Sequence, residues 1–160
     1  PAGPLREPVS RLEEVDWVIA NKRKVGLVAD ETVMNLIAEG LVNLASGDMI
    51  PLDEALSNHP EVNVVCGIGN PYRFLNTLSE LSFVAEPRIF KDHHEFNKKD
   101  LIFTNEHPIL CTEKDAIKIM ELDVPLEKIW FLKVSVSIPQ EEERLSGLLA
   151  LRKIEPISVP

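Results

Sequence analysis

The sequence predicts an α/β protein: a mostly parallel sheet with flanking helices, preceded by short strands and a hairpin. Three observations carry that prediction. Between Val62 and Ile138, runs of β-branched residues alternate with segments of helical periodicity. The helices announce their starts, with Asn70-Pro71 and Thr112 standing at N-cap positions. Upstream, Ser46-Gly47-Asp48 supplies a turn between two apolar runs.

Taken in order, residues 1–8 hold three prolines and a glycine and predict an extended segment. Ser10–Glu14 can form one helical turn, Asp16–Asn21 reads as a short buried strand, and Gly26–Ala29 as another. Leu41–Leu52 is the hairpin, and Asp53–Asn58 a loop or short helix. Val62–Cys66 is a strand, followed by a tight connection through Gly67-Ile68-Gly69. The helix predicted over Pro71–Leu81 places Phe74, Leu75, Leu78 and Leu81 on one face. Phe83–Phe90 is a strand that Pro87 assigns to an edge or a bulge. Asn97 can cap a short helix. Pro108–Cys111 is a buried strand, and Thr112 with Asp115 has capping-box spacing, with Asp in place of Glu, at the start of a second helix. Ile129–Ile138 is the last strand, "PQEEERL" opens a solvent-exposed helix, and the final ten residues read as a tail. The expected organisation is thus residues 1–60 as a linking region, 61–138 as the α/β core, and 139–160 as helix and tail.

In open parallel sheets, ligands sit at the carboxyl ends of the strands. Three polar stretches fall there, "GIGNPYR", "KDHHEF" and "TEKDAIK", so they are expected to line one edge together.

Bulk properties exclude several classes of function. With 160 residues, 44% of them hydrophobic and 27% charged, the chain is an ordinary globular protein long enough for one core. Its net charge of −9, with scattered basic residues, argues against nucleic acid as a partner. No run approaches the roughly 20 apolar residues of a membrane span, and no signal peptide is evident. Cys66 and Cys111 lie in apolar runs and are expected to be buried thiols in a reducing compartment, not a disulfide. The chain starts at Pro1 without a methionine, which reads as the middle of a longer protein.

Each polar stretch has a chemical and a structural reading. In "GIGNPYR", Gly67 and Gly69 permit close backbone approach, and Asn70 and Arg73 stand at a helix start that favours anions. The same residues also make an ordinary tight turn with an N-cap, and Tyr72 breaks the Gly-x-Gly-x-x-Gly pattern of dinucleotide sites. In "TEKDAIK", Lys114 can face a phosphate or simply solvent. Adjacent histidines on an extended loop point in different directions, so His93 and His94 are poorly placed to chelate one ion. Cys66 and Cys111 lack Cys-x-x-Cys spacing. The readings left open are a catalytic or ligand-orienting histidine, a metal site, and a structural loop. Arg6 and Glu7, between prolines, are held in a rigid segment that suits a phosphate or a magnesium-bound water, or they are a surface ion pair in a linker.

In order and separation, "PAGPLREP", "LVNLASGDMIPL", "GIGNPYRF", "DHHEF" and "TEKDAIK" resemble the carboxyl-terminal half of the tetraacyldisaccharide 4′-kinase (lipid A 4′-kinase) family, over nearly the whole chain. The resemblance implies a P-loop-kinase-related fold, and an enzyme of lipid A biosynthesis in Gram-negative bacteria on the cytoplasmic face of the inner membrane. It implies ATP with Mg2+ as phosphoryl source and a tetraacyldisaccharide 1-phosphate as the lipid acceptor. The family's Asp-His motif matches Asp92 and His93. The resemblance makes His93 one half of a proton-accepting pair and lets Asp92 orient its loop. It places Glu7 near magnesium and phosphates, with Arg6 beside it. The chain departs from the family pattern in lacking an amino-terminal hydrophobic helix, a Gly-x-x-x-x-Gly-Lys-[Ser/Thr] loop and an Asp-Asp-Gly-Phe-Gln motif. ATP is therefore expected to bind through a missing amino-terminal half, and this chain alone is expected to bind it poorly and transfer no phosphate. Two alternatives of other classes are a non-catalytic phosphoglycolipid-binding module and a metal-dependent phosphoesterase.

Overall fold

The computed structural model describes residues 7–152. They form two compact units: residues 38–135 are one, and the stretches up to Ile37 and from Val136 onward make the other.

The larger unit is built on β4 (Glu61–Cys66), whose five residues after Glu61 are all buried. A strand so apolar on both faces must be paired on both sides and covered above and below. It pairs in parallel with β5 (Val84–Ile89) on one side and with β6 (Ile109–Cys111) on the other. Next to β6, also in parallel, lies β7 (Ile129–Ser137). The sheet order is β2-β7-β6-β4-β5, where β2 spans Glu31–Asn43. Pro87 indeed sits on the edge strand: among the described residues β5 pairs only with β4, in unbroken register and without a bulge.

Alternation along the strands sends successive side chains to opposite faces. Val64, Cys66 and Leu110 join one core with Phe74 and Leu78 from α2 (Pro71–Glu80). Val65, Ile109 and Cys111 join the other with Ala116 and Ile119 from α3 (Glu113–Met120). The two cysteines therefore belong to opposite faces, and both are free.

The hairpin forms as the sequence predicts, β2 turning into β3 (Met49–Pro51) with antiparallel pairing. Gly47 takes φ of 76° in the turn, and Asn43 Oδ1 accepts the amides of Ala45 and Ser46. Asp53–Asn58 resolves to a helix, α1 (Leu52–Asn58). Asn97 caps a 3-10 turn at Lys98–Leu101 with a complete capping box through Asp100.

The smaller unit holds a 3-10 turn at Val9–Glu13, then β1 (Val18–Asn21), parallel to Glu31–Met34 of β2, and α4 (Glu141–Arg152). Trp17 Nε1 donates to Thr32 Oγ1 at 2.8 Å, and Arg144 pairs with Asp30 while lying over the Trp17 ring. The strand expected at Gly26–Ala29 is absent, and a loop stands in its place. The amides of Val25, Gly26, Leu27 and Val28 all donate to the Glu31 carboxylate, at 2.6, 3.0, 2.8 and 3.4 Å. Amides committed to one carboxylate cannot form a ladder, so the apolar run wraps around Glu31 instead. Those bonds, the Gly26 amide first, hold the Glu31 carboxyl below its ordinary range. Of the last ten residues, expected as a tail, Leu151 and Arg152 instead end helix α4; the rest lie outside the described residues.

Candidate active edge

Three loops leave the carboxyl ends of β4, β5 and β6 and meet, as the strand–helix alternation predicts. The β4–α2 loop carries both glycines, and each receives part of the histidine loop. A Cβ on Gly67 would meet Phe96 at 3.2 Å, His94 at 3.3 Å and Asp115 Oδ1 at 3.4 Å. A Cβ on Gly69 would meet Asp92 Oδ2 at 3.2 Å. These are closer than side chains ordinarily approach, so glycine here lets the loops dock. The Gly67 amide is committed as well, donating to Asp115 Oδ2 at 3.1 Å. What Gly67 supplies is therefore proximity, and its N–H is not free for an anion. Asn70 Oδ1 accepts the Arg73 amide at 3.2 Å, the N-cap expected of Asn-Pro. Arg73 is half-buried on the first turn of α2.

Asp92 and His93 form the exposed tip of the second loop. His93 adopts φ of 59°, a left-handed conformation uncommon for histidine. Asp92 Oδ1 fixes it by accepting the His93 amide at 3.0 Å. The His93 ring remains 77% exposed, with Nε2 3.7 Å from Asp92 Oδ2. Lys114, on the first turn of α3, places Nζ 3.4 Å from Asp92 Oδ1. Desolvation pushes the Asp92 carboxyl up, but His93, Lys114 and the His93 amide together outweigh it and hold Asp92 below the ordinary aspartate range.

His94 faces elsewhere. Its ring stacks on Phe90 at 4.2 Å and bonds Asp100 Oδ2 through Nε2 at 2.9 Å. The two histidines are thus divided in role by geometry, His94 packed into the fold and His93 presented to solvent. Lys118, one turn beyond Lys114, donates to the His94 carbonyl at 3.0 Å. It braces the loop that Lys114 touches at its tip.

Sequence reasoning treated Asp115 as a capping residue, and only half of that holds. Thr112 Oγ1 accepts the Asp115 amide at 3.2 Å. The Asp115 carboxylate takes the Thr112 hydroxyl at 2.8 Å and the Gly67 amide, instead of returning to the Thr112 amide. The signal that could have found it is an acidic residue at the third helical position beside a buried strand end.

Glu7 is exposed in the other unit, with Arg11 Nε at 3.6 Å. Arg6 lies outside the described residues. Among the described residues, no three His, Cys, Asp or Glu side chains are grouped to hold a metal ion. Asp92 is already engaged by a lysine and a histidine, and the sequence has no phosphate-binding lysine loop. No helix among the described residues is long and apolar enough to cross a membrane.

Fold and edge together define an α/β protein with a mostly parallel sheet, in which a carboxylate, an imidazole and an ammonium gather where parallel strands end. Comparison with known proteins narrows this. The family model for tetraacyldisaccharide-1-P 4′-kinase (LpxK) matches residues 1–152, and the chain belongs to that family. The tetraacyldisaccharide 4′-kinase of Alcanivorax borkumensis is 44% identical over 140 residues, covering 88% of this chain and 41% of that protein. That of Methylobacillus flagellatus is 41% identical over 158 residues, covering 97% and 45%. The fold is shared with the crystal structure of LpxK from Aquifex aeolicus in complex with ATP, at a TM-score of 0.67 and 24% identity, over 94% of this chain and 47% of that one. The chain thus spans less than half the length of these relatives.

Proposed function

We propose that this chain is the carboxyl-terminal part of a lipid A 4′-kinase, an inner-membrane-associated enzyme that phosphorylates the 4′-hydroxyl of a tetraacyldisaccharide 1-phosphate to give lipid IVA. The observation that carries this reading is the Asp92–His93 tip, exposed at the carboxyl edge of the sheet and flanked by Lys114. In this reading MgATP supplies the phosphoryl group and is held mainly by residues beyond these 160, with Arg6 and Glu7 contributing to its site. The chain's own residues handle the acceptor. His93 Nε2, as one half of the proton-accepting pair whose other half is an aspartate beyond these 160 residues, shares the hydroxyl proton, and Asp92, kept ionised by its neighbours, favours the imidazolium form. Lys114, with the helix start at Asn70 and Arg73, offers positive potential to the sugar phosphate. General-base help of this kind is typically worth about 10²–10⁴-fold.

The test is ATP-dependent phosphorylation of tetraacyldisaccharide 1-phosphate by two proteins. One is this chain alone; the other is a chimera that places the amino-terminal part of the Alcanivorax borkumensis relative ahead of it. The expected result is no transfer by the chain alone and transfer by the chimera. A well-folded chimera that binds ATP but does not phosphorylate the lipid would defeat the reading.

A further inference from the structure

Asp115 is fully buried, yet its two carboxylate oxygens are treated very differently. Oδ2 receives both the Gly67 amide and the Thr112 hydroxyl. Oδ1 is sealed from solvent without a hydrogen-bond partner among the described residues. Buried polar atoms are nearly always paired, and an orphaned carboxylate oxygen works against folding. A fold that only needed a helix cap at this position could use the Thr112 side chain, which already accepts the Asp115 amide. The burial of Asp115 calls for a second role.

Its location supplies one. Asp115 joins the start of α3 to the β4–α2 loop, across 48 residues of sequence. Oδ1 points at Gly67, where His94 and Phe96 of the histidine loop also converge. All three loops of the edge therefore meet around Gly67, whose amide this carboxylate holds. Lys114 precedes it by one residue, so the link that holds Asp115 to Gly67 also sets where Lys114 stands relative to Asp92. The ionisable groups acting on this region are Cys66 on β4 and Cys111 on β6, whose thiols feel the Asp115 charge. Lys118 braces the His94 carbonyl, and His93 and Lys114 face Asp92.

We propose that Asp115 is the positioning residue of the edge, locking Lys114, Asp92 and His93 into one constellation through the Gly67 amide. The inference rests on reading those three residues as the working edge, but its test reads geometry and needs no phosphotransfer.

The experiment is NMR on the 160-residue chain, following the Asp92 carboxyl titration and exchange of the Gly67 amide in Asp115→Asn and Asp115→Ala. Gly67→Ala attacks the same link from the other side. Leu41→Ala, a buried change on β2, is the control for lost stability alone. In the Asp115 variants, the Asp92 midpoint is expected to rise toward the ordinary value of about 3.9 as Lys114 leaves it. The Gly67 amide is expected to exchange about tenfold faster or more. Gly67→Ala should reproduce the rise, and Leu41→Ala should leave the Asp92 midpoint in place. An unchanged Asp92 midpoint in folded Asp115 variants would overturn the proposal. So would failure of all three site variants to fold, which would make Asp115 purely structural.

Discussion

The two ends of the same parallel strands are built on different rules. At the amino ends of β4, β6 and β7 lies an open cavity of about 580 Å³, lined by Leu101, Phe103, Val124 and Pro125 above a polar floor. That floor is closed on itself. Asn63, fully buried, donates to Asn105 Oδ1 at 2.6 Å and to the His107 carbonyl at 3.0 Å. Asn105 returns a bond to Asn63 at 3.1 Å and reaches Glu86 at 2.9 Å. At the carboxyl ends, polar groups are left incompletely engaged: His93 is solvent-facing at a positive φ, and Asp115 Oδ1 has no partner among the described residues. A satisfied network holds a fold together, whereas exposed or unpaired groups held in place by their surroundings are what a reactive site requires.

Perturbing each end sharpens that contrast. The largest stability effect belongs at the amino end. Asn63→Ala would strand Asn105 and the His107 carbonyl, and denaturant unfolding should show a loss of about 2–4 kcal/mol. The Asp92 titration at the other end should not move. The thiols give an intermediate, pH-dependent effect. Burial first, then the Asp115 charge, pushes Cys66 up to about 11. Its folded pKa lies above the unfolded value, so the stability it contributes is present below the unfolded pKa and is lost as pH rises toward 11. Native Cys66 should therefore resist thiol reagents at pH 8 and react on unfolding. Cys66→Ala should flatten the alkaline loss of stability. The smallest effect is at the tip: His93→Gly removes a side chain from a left-handed backbone and should raise stability by about 0.5–1 kcal/mol. A gain there, against a loss at Asn63, would mark His93 as a residue kept for something other than folding.

Much of this was legible in the sequence, for identifiable reasons. Helix starts at Asn70-Pro71 and Thr112 and the strand at Val62–Cys66 are local signals, and they formed where expected. The meeting of "GIG", "DHH" and "TEKD" followed from topology alone. The apolar run Gly26–Ala29 has the local signal of a strand, but the Glu31 carboxylate gathers its amides into a loop. The first half of β2 was not anticipated, since Glu31–Gly40 mixes apolar and polar residues without clean alternation. Asp115 was recognised only as a cap, because its main partner, Gly67, is 48 residues away. Glu7, which the resemblance places near magnesium and phosphates, lies 3.6 Å from Arg11 Nε.

The central claim is that the carboxyl edge contributes the proton-accepting side of a lipid kinase. It is tested most directly by His93→Asn in the chimera with the amino-terminal part of the Alcanivorax borkumensis relative. Asparagine tolerates the left-handed backbone at this position but is not a base. Phosphorylation of tetraacyldisaccharide 1-phosphate should fall by about 10²–10⁴-fold, with stability changed by less than about 1 kcal/mol. A rate within about threefold of the unsubstituted chimera would contradict the account, because general-base assistance of ordinary size could not then reside at His93.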